Sequence, residues 1–314
     1  RGSALIFPLS GPWKIRERIT MKSTLLFPAS VAVAVSLVAS ADALEPTKKD
    51  LPYDTDRPEI QALDVYLAES DSPVPAMIYI HGGGWRAGSK KPIPGILAKG
   101  VSEGWFSVVS VEYRFTDVAT HPAQVNDCVR AIQFVRQYAK EWNIDAKRIG
   151  VTGGSAGAHL SLWVALADDA ADPDAEDPVK RQSSRVSCAV GFAGPTDWSL
   201  LAEIDHRHPA YRQLLGYEPG TPAEEMSAEQ MKSVSPVSHV SEDDPPILLV
   251  HGDADDIVPI AHARRLDEKL DEAGVESDLF VVEGGKHNVA GAGGAAVAER
   301  VITFLKANLA IEGE

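Results

Sequence analysis

From Ala76 onward the chain alternates short apolar runs with amphipathic segments, and no other feature constrains its fold as tightly. "AMIYI" (76–80) and "FSVVSVEY" (106–113) are nearly continuous apolar runs. "HPAQVNDCVRAIQFVRQYAKEW" (121–142) sets Val125, Cys128, Val129, Ile132, Val135 and Ala139 at three- and four-residue steps, one buried face of a helix. "RIGVTG" (148–153), "SCAVGF" (187–192), "PPILLVHG" (245–252) and "SDLFVVEGG" (277–285) predict further strands. Helices are predicted over 156–167, 260–274 and 295–310, the second with Gly274 as its stop signal. Strands apolar on both faces and separated by helices imply an α/β fold, a mostly parallel sheet covered on both sides. Leu51–Ala68 reads as earlier strands at an antiparallel edge. Residues 199–240 break the alternation. They are polar and hold Pro209, Pro219, Gly220 and Pro222, which predicts a small inserted cap or lid. The chain therefore reads as one α/β domain from residue 44 to 314, long enough to bury a core without staples.

Residues 1–43 are set apart from that domain. Met21 opens "MKSTLLFPASVAVAVSLVASADALEP", with Lys22 as a short positive region and Thr24–Val38 as an apolar stretch of 15 residues. That length is short for a membrane span. Ala39-Ser40-Ala41 and Ala41-Asp42-Ala43 are small-x-small cleavage patterns. The segment reads as a secretory signal peptide, with an uncleaved anchor as the alternative and residues 1–20 upstream of the start. Export to a periplasmic or extracellular space follows, with no stable membrane insertion after cleavage. The chain carries a net charge of −15, and residues 44–314 hold 25 basic against 43 acidic residues. Such a surface disfavours nucleic acid and anionic membranes. Cys128 and Cys188 fall in a helix and a strand pattern. Export would permit a bridge, but buried free thiols fit a protein of this size better.

The chemistry centres on "IGVTGGSAGAHL" (149–160), where Ser155 lies between a strand and a helix, flanked by Gly153-Gly154 and Ala156-Gly157. G-x-S-x-G in that context is a nucleophile elbow; a helix-capping serine is the plainer alternative. A serine hydroxyl needs a base, and the base an orienting acid, here in the chain order Ser, acid, His. Of nine histidines, His287 in "VVEGGKHNV" is the one that follows the last strand. "LLVHGDADDIVP" offers Asp253, Asp255 and Asp256, and Asp255 is assigned the acid role. Asp253 would hold the turn, and Asp256 would cap the helix after Pro259. Calcium is the alternative use of three clustered carboxylates, but the spaced ligands of an EF-hand loop are missing. No metal is expected. "HGGGW" (81–85) supplies Gly83 and Gly84, whose amides, with that of Ala156, are the expected oxyanion donors. Trp85 and Trp198 are candidate flat surfaces for a sugar or aromatic acyl group, although aromatic residues more often serve the core. Tyr211 and Tyr217 would line an entrance.

"HGGGW", "HPAQVNDCVRAIQFV", "DAKRIGVTGGSAGAHLSL", "PPILLVHGDADDIVP" and "GGKH", in this order, resemble the α/β-hydrolase superfamily over most of the chain after residue 60. The resemblance is closest to the carbohydrate-esterase and feruloyl-esterase-like branch, near the hormone-sensitive-lipase-like esterases. It implies hydrolysis of carboxylic esters by Ser155, Asp255 and His287 without a cofactor, on small-molecule or carbohydrate esters such as acetyl or feruloyl esters. Lipase-like relatives often carry Phe or Tyr after the glycines and a substantial N-terminal cap. Trp85 and a short segment after the leader favour a more open site. Alternatives are an exopeptidase of the prolyl-oligopeptidase type, which usually adds a large N-terminal domain, and a non-catalytic binding protein on a hydrolase scaffold.

Overall fold

Valine and isoleucine runs make the sheet, and their two-residue period sorts the core into two halves. In the computed structural model, residues 44–203, 208–289 and 293–311 are described, all within the compact unit Ala43–Glu314. The proposed leader lies outside the described residues.

Among the described residues eight strands form one sheet: β1 (Lys48–Pro52), β2 (Ala62–Tyr66), β3 (Val74–Ile80), β4 (Ser107–Val111), β5 (Ile144–Gly154), β6 (Cys188–Phe192), β7 (Ile247–Gly252) and β8 (Ser277–Val282). Their order is β1-β2-β4-β3-β5-β6-β7-β8. β2 runs antiparallel to both β1 and β4, and every later pairing is parallel. The antiparallel edge expected over 51–68 is therefore present. β5, which leads to Ser155, lies in the sheet interior between β3 and β6.

Alternate residues of each strand face opposite layers. Ile78, Ile80, Val151, Ala189 and Leu249 pack with Cys128 and Ile132 of α2 (Ala123–Tyr138), Leu160 of α3 (Ala156–Leu166) and Leu266 of α7 (Ala261–Ala273). Met77, Val108, Val190, Leu248 and Val250 pack with Leu97 and Val101 of α1 (Gly95–Ser102) and with Val297, Val301 and Leu305 of the last helix, α8 (Gly294–Asn308). Burying one such aliphatic side chain contributes roughly 1.5–3 kcal/mol. α7 ends as its sequence indicates, with Gly274 left-handed at φ 76°. α1 has no strong signature. Its Gly100 admits the ring of Phe106, whose Cζ lies 2.1 Å from where a Cβ would stand.

Cys128 and Cys188 are free and buried, in opposite layers of the sheet. Between β6 and β7 the insertion supplies α4 (Leu200–Glu203), α5 (Ala210–Leu214), α6 (Ala228–Val234) and two short 3-10 turns. Its Leu201, Tyr211, Leu214, Met226 and Val234 are buried in the α2/α3/α7 core layer. Among the described residues no helix is long and apolar enough to cross a membrane.

Candidate active site

Ser155 stands where β5 turns into α3, at φ 55° and ψ −121°, a conformation a side-chain-bearing residue enters only under strain. Such strain costs on the order of 1–3 kcal/mol. The surroundings enforce it. The Ser155 amide donates to Phe192 O (2.8 Å), and the His159 amide donates to Ser155 O (3.0 Å). A Cβ on Gly157 would stand 2.0 Å from Ile80 O, so the helix start rests directly on the end of β3. The Ser155 hydroxyl makes no capping bond to its own helix. It lies 2.9 Å from His287 Nε2. His287 Nδ1 lies 2.8 Å from Asp255 Oδ2. A carboxylate only accepts, so Nδ1 carries the proton and Nε2 is left to accept from the hydroxyl.

Two loops hold the acid and the imidazole. Asp255 Oδ1 accepts from the amides of Ile257 (2.9 Å) and Val258 (3.0 Å). His251 Nε2 lies 3.4 Å from Asp255 Oδ2 and 2.8 Å from Val258 O. Burial alone would raise the pKa of Asp255. Hydrogen bonds from His251, His287 and the two amides outweigh burial and hold the carboxyl well below the usual range. Asp253 ties the loop after β7 to the loop after β8 by accepting from the Gly284 amide (2.6 Å), and the Ala254 amide donates to Gly285 O (3.0 Å). The helix cap expected from Asp256 is not formed, because α7 starts after Ile260 without a side-chain cap.

The "HGGGW" loop runs beside the serine turn. A Cβ on Gly82 would stand 2.7 Å from Gly154 O and 3.5 Å from Ser155 Cβ. Gly83 and Gly84 have φ values of +113° and +61°. Gly83 O accepts from the amides of Arg86 and Ala87, both at 3.2 Å. Among the described residues nothing accepts from the amides of Gly83, Gly84 or Ala156. Behind the loop, His81 stacks on Tyr113 (centroids 4.5 Å apart) and contacts Glu112 Oε1 (2.9 Å), while Tyr113 Oη donates to His81 O (3.0 Å).

The two tryptophans divide. Trp85 lines the cavity in front of Ser155, but Trp198 is fully buried and does not. The expectation of a substrate-facing Trp198 is therefore corrected. Its ring lies behind Trp85 (centroids 5.8 Å apart), and its Nε1 donates to Tyr211 O (3.2 Å). An indole N–H needs a partner when buried, and here an inserted-segment carbonyl supplies it. Trp85 is itself 2% exposed, and its Nε1 donates to His159 Nδ1 (3.1 Å). His159 Nε2 in turn donates to Val234 O (2.8 Å). Burial lowers the pKa of His159 to about 3, so its ring is neutral. A histidine four residues after the serine, alone in the apolar helix "AGAHLSLW", was the available signal for this link between the helix after Ser155, the glycine loop and the insertion. Glu112 had no such signal. The cavity encloses about 370 Å³ and is lined by Ser155, His287, Gly83, Gly84 and Ala156, with Tyr211, Ile257 and Val258 as further walls. Tyr217 does not line it; its hydroxyl donates to Gln230 Oε1 (2.6 Å).

An interior strand ending in a strained serine, with acid and histidine loops after the next strands along, defines an α/β-hydrolase fold. Comparison with known proteins narrows this class. A BD-FAE family signature matches residues 63–270, and the chain belongs to that family. The chain is 33% identical over 199 residues to "Probable carboxylic ester hydrolase LipM" of Mycobacterium tuberculosis, covering 62% of this chain and 44% of that protein. To "Esterase LipQ" of the same organism it is 30% identical, covering 72% of this chain and 53% of that protein. The chain thus spans about half the length of these curated relatives. Among solved structures, a truncated form of a carbohydrate esterase from gut microbiota superposes with a TM-score of 0.73 at 28% identity, covering 86% of this chain and 99% of that one.

Proposed function

We propose that this chain is an exported serine esterase that cleaves carboxylic esters through an acyl-enzyme. One observation carries the reading: the continuous hydrogen-bonded line from the Ser155 hydroxyl through His287 to Asp255, at 2.9 and 2.8 Å. His287 Nε2 takes the hydroxyl proton as Ser155 Oγ attacks the acyl carbon. Asp255, already ionised, fixes the imidazole tautomer and stabilises the imidazolium that forms. The amides of Gly83, Gly84 and Ala156 receive the developing oxyanion, each donor of this kind being worth about 10²–10³ in rate. His287 then protonates the departing alcohol. Water, deprotonated by the same nitrogen, attacks the acyl-serine and releases the acid. Residues 44–314 form the catalytic domain in this reading, and residues 1–43 its export leader.

The proposed substrates are acetyl or feruloyl esters on carbohydrate, or other small esters. The likeness to a carbohydrate esterase supports the carbohydrate side. A cavity of about 370 Å³ suits a small acyl group. Fluorophosphonate labelling followed by peptide mapping tests the nucleophile. An adduct on Ser155 with loss of activity is expected, and inactivation without that adduct would overturn its role. A panel of p-nitrophenyl acetate, acetylated xylan, methyl ferulate and an aminoacyl-anilide tests the substrate. Preference for the anilide would replace the esterase reading with a peptidase one.

A further inference from the structure

The proposed reaction requires no fixed cation in its cavity, yet Arg86 lines it. The chain is strongly acidic, and Arg57, Arg114, Arg130, Arg148, Arg185, Arg265 and Arg300 each pair with a carboxylate, while Arg136, Arg181 and Arg264 make no such pair among the described residues. Arg86 makes none either, and no Asp or Glu lines the cavity among the described residues. Its guanidinium is nonetheless oriented. Nη1 donates to Gln213 Oε1 (2.7 Å) on α5, across 127 positions of sequence. The remaining Nε and Nη2 edge has no partner among the described residues. It stands over the glycine loop: the point where a Cβ on Gly84 would project lies 3.8 Å from Arg86 Nε, 3.8 Å from His208 Cε1 and 3.4 Å from Ala210 Cβ. His208 is held below its ordinary pKa, first by burial and then by the charge of Arg86, so a neutral ring borders the guanidinium.

A guanidinium fork held by one nitrogen, with its other edge open to a cleft, matches the two oxygens of a carboxylate. The geometry points to a substrate that carries a carboxylate beside its scissile ester, bound by the free edge of Arg86. On a carbohydrate, that chemistry is a uronate next to the esterified unit; on the acid side, it is a half-ester of a dicarboxylic acid. The inference rests on the esterase reading and names its substrate class. It also opposes the expectation from net charge, since −15 over the whole chain favours neutral or cationic ligands while the cleft presents the opposite sign.

Matched pairs of esters test it. 3-Acetoxybenzoate against 3-acetoxybenzamide places the charge on the alcohol side. Monophenyl adipate against its carboxamide places it on the acyl side. The quantity read is the ratio of kcat/KM for carboxylate over carboxamide. In Arg86→Gln that ratio should fall about tenfold for one or both pairs, mainly through KM, and Arg86→Lys should restore part of it. Because Arg86 is exposed, raising salt should lower the wild-type ratio too. Unchanged ratios in both pairs would overturn the inference and leave the esterase reading standing. An equal loss on both members of both pairs would overturn it in the same way, and would mean that Arg86 supports the loop or the transition state. Wild-type protein that hydrolyses none of the four esters would overturn both readings.

Discussion

Ser155 carries two burdens at once, its proposed chemistry and its backbone strain, and substitutions separate them. On the proposed mechanism Ser155→Ala abolishes turnover while keeping the strained φ of 55°. Ser155→Gly also abolishes turnover but relieves the strain, so it should unfold at higher urea than Ser155→Ala, by about 1 kcal/mol. Equal stabilities would show that the turn stores nothing. Asp255→Asn should lower kcat by on the order of 10³–10⁴, because an amide no longer dictates which imidazole nitrogen is protonated. Ser155→Ala and His287→Ala together should cost little more than either alone, since the residues act as one unit. At this scale the chain was readable where chemistry imposes order. A serine in a glycine turn, an acid after one strand and a histidine after the next are separated by 100 and 32 positions, yet each occupies a strand end. The choice among Asp253, Asp255 and Asp256 came from position alone. The structure separates them by partner: Asp253 accepts from Gly284, and Asp255 meets His287. Trp198 was misread because sequence gives a residue type but not which side of Trp85 it takes.

At the scale of elements, the glycine loop, the helix after Ser155 and the insertion are joined by hydrogen bonds running from Trp85 through His159 to Val234. Trp85→Phe keeps an aromatic ring, smaller than the indole, and removes the donor, leaving His159 Nδ1 buried without a partner. The expected cost is about 1–3 kcal/mol in chemical denaturation. A fall in kcat larger than any rise in KM is also expected, because Trp85 follows Gly84 in the glycine loop and lines the cavity beside Gly83 and Gly84. Kinetics unchanged from wild type would mean that the loop keeps its shape without it. Gly157→Ala should destabilise more severely, since its methyl group would overlap Ile80 O unless β3 and α3 separate. The strands and long helices were legible because their periods of 2 and 3.6 residues persist over several turns or pleats. α1 was not, because eight residues containing Gly95 and Gly100 offer too short and too weak a pattern. The insertion was legible as an interruption, but its union with the main core depends on contacts of Leu214, Met226 and Val234 that no local pattern encodes.

For the molecule as a whole, the buried His159 and the half-buried His121 predict how stability varies with pH. Burial lowers the pKa of His159 to about 3, and that of His121 to about 4. The unfolded chain protonates both near pH 6.5. Between those values the unfolded state therefore binds more protons, so stability is full above about pH 6.5 and is lost as pH falls toward 4. Each group contributes a slope of up to about 1.4 kcal/mol per pH unit. Urea unfolding from pH 7 to pH 5 should show the decline, and His159→Gln should remove about one proton from the slope. A slope identical to wild type would rule out His159 as a contributor. Asp255 acts in the same direction at lower pH, since its depressed value stabilises the fold above about pH 4 and that contribution fades on further acidification. The placing of the three site residues has one more effect. Ser155 follows an interior strand, whereas His287 follows β8, which among the described residues pairs only with β7 and is nowhere fully buried. Peripheral strands fray before central ones. In mild denaturant the imidazole should therefore leave its register while the rest of the sheet persists. Hydrolysis should fail at a lower urea concentration than circular dichroism reports, with amide exchange quickening first along residues 277–289.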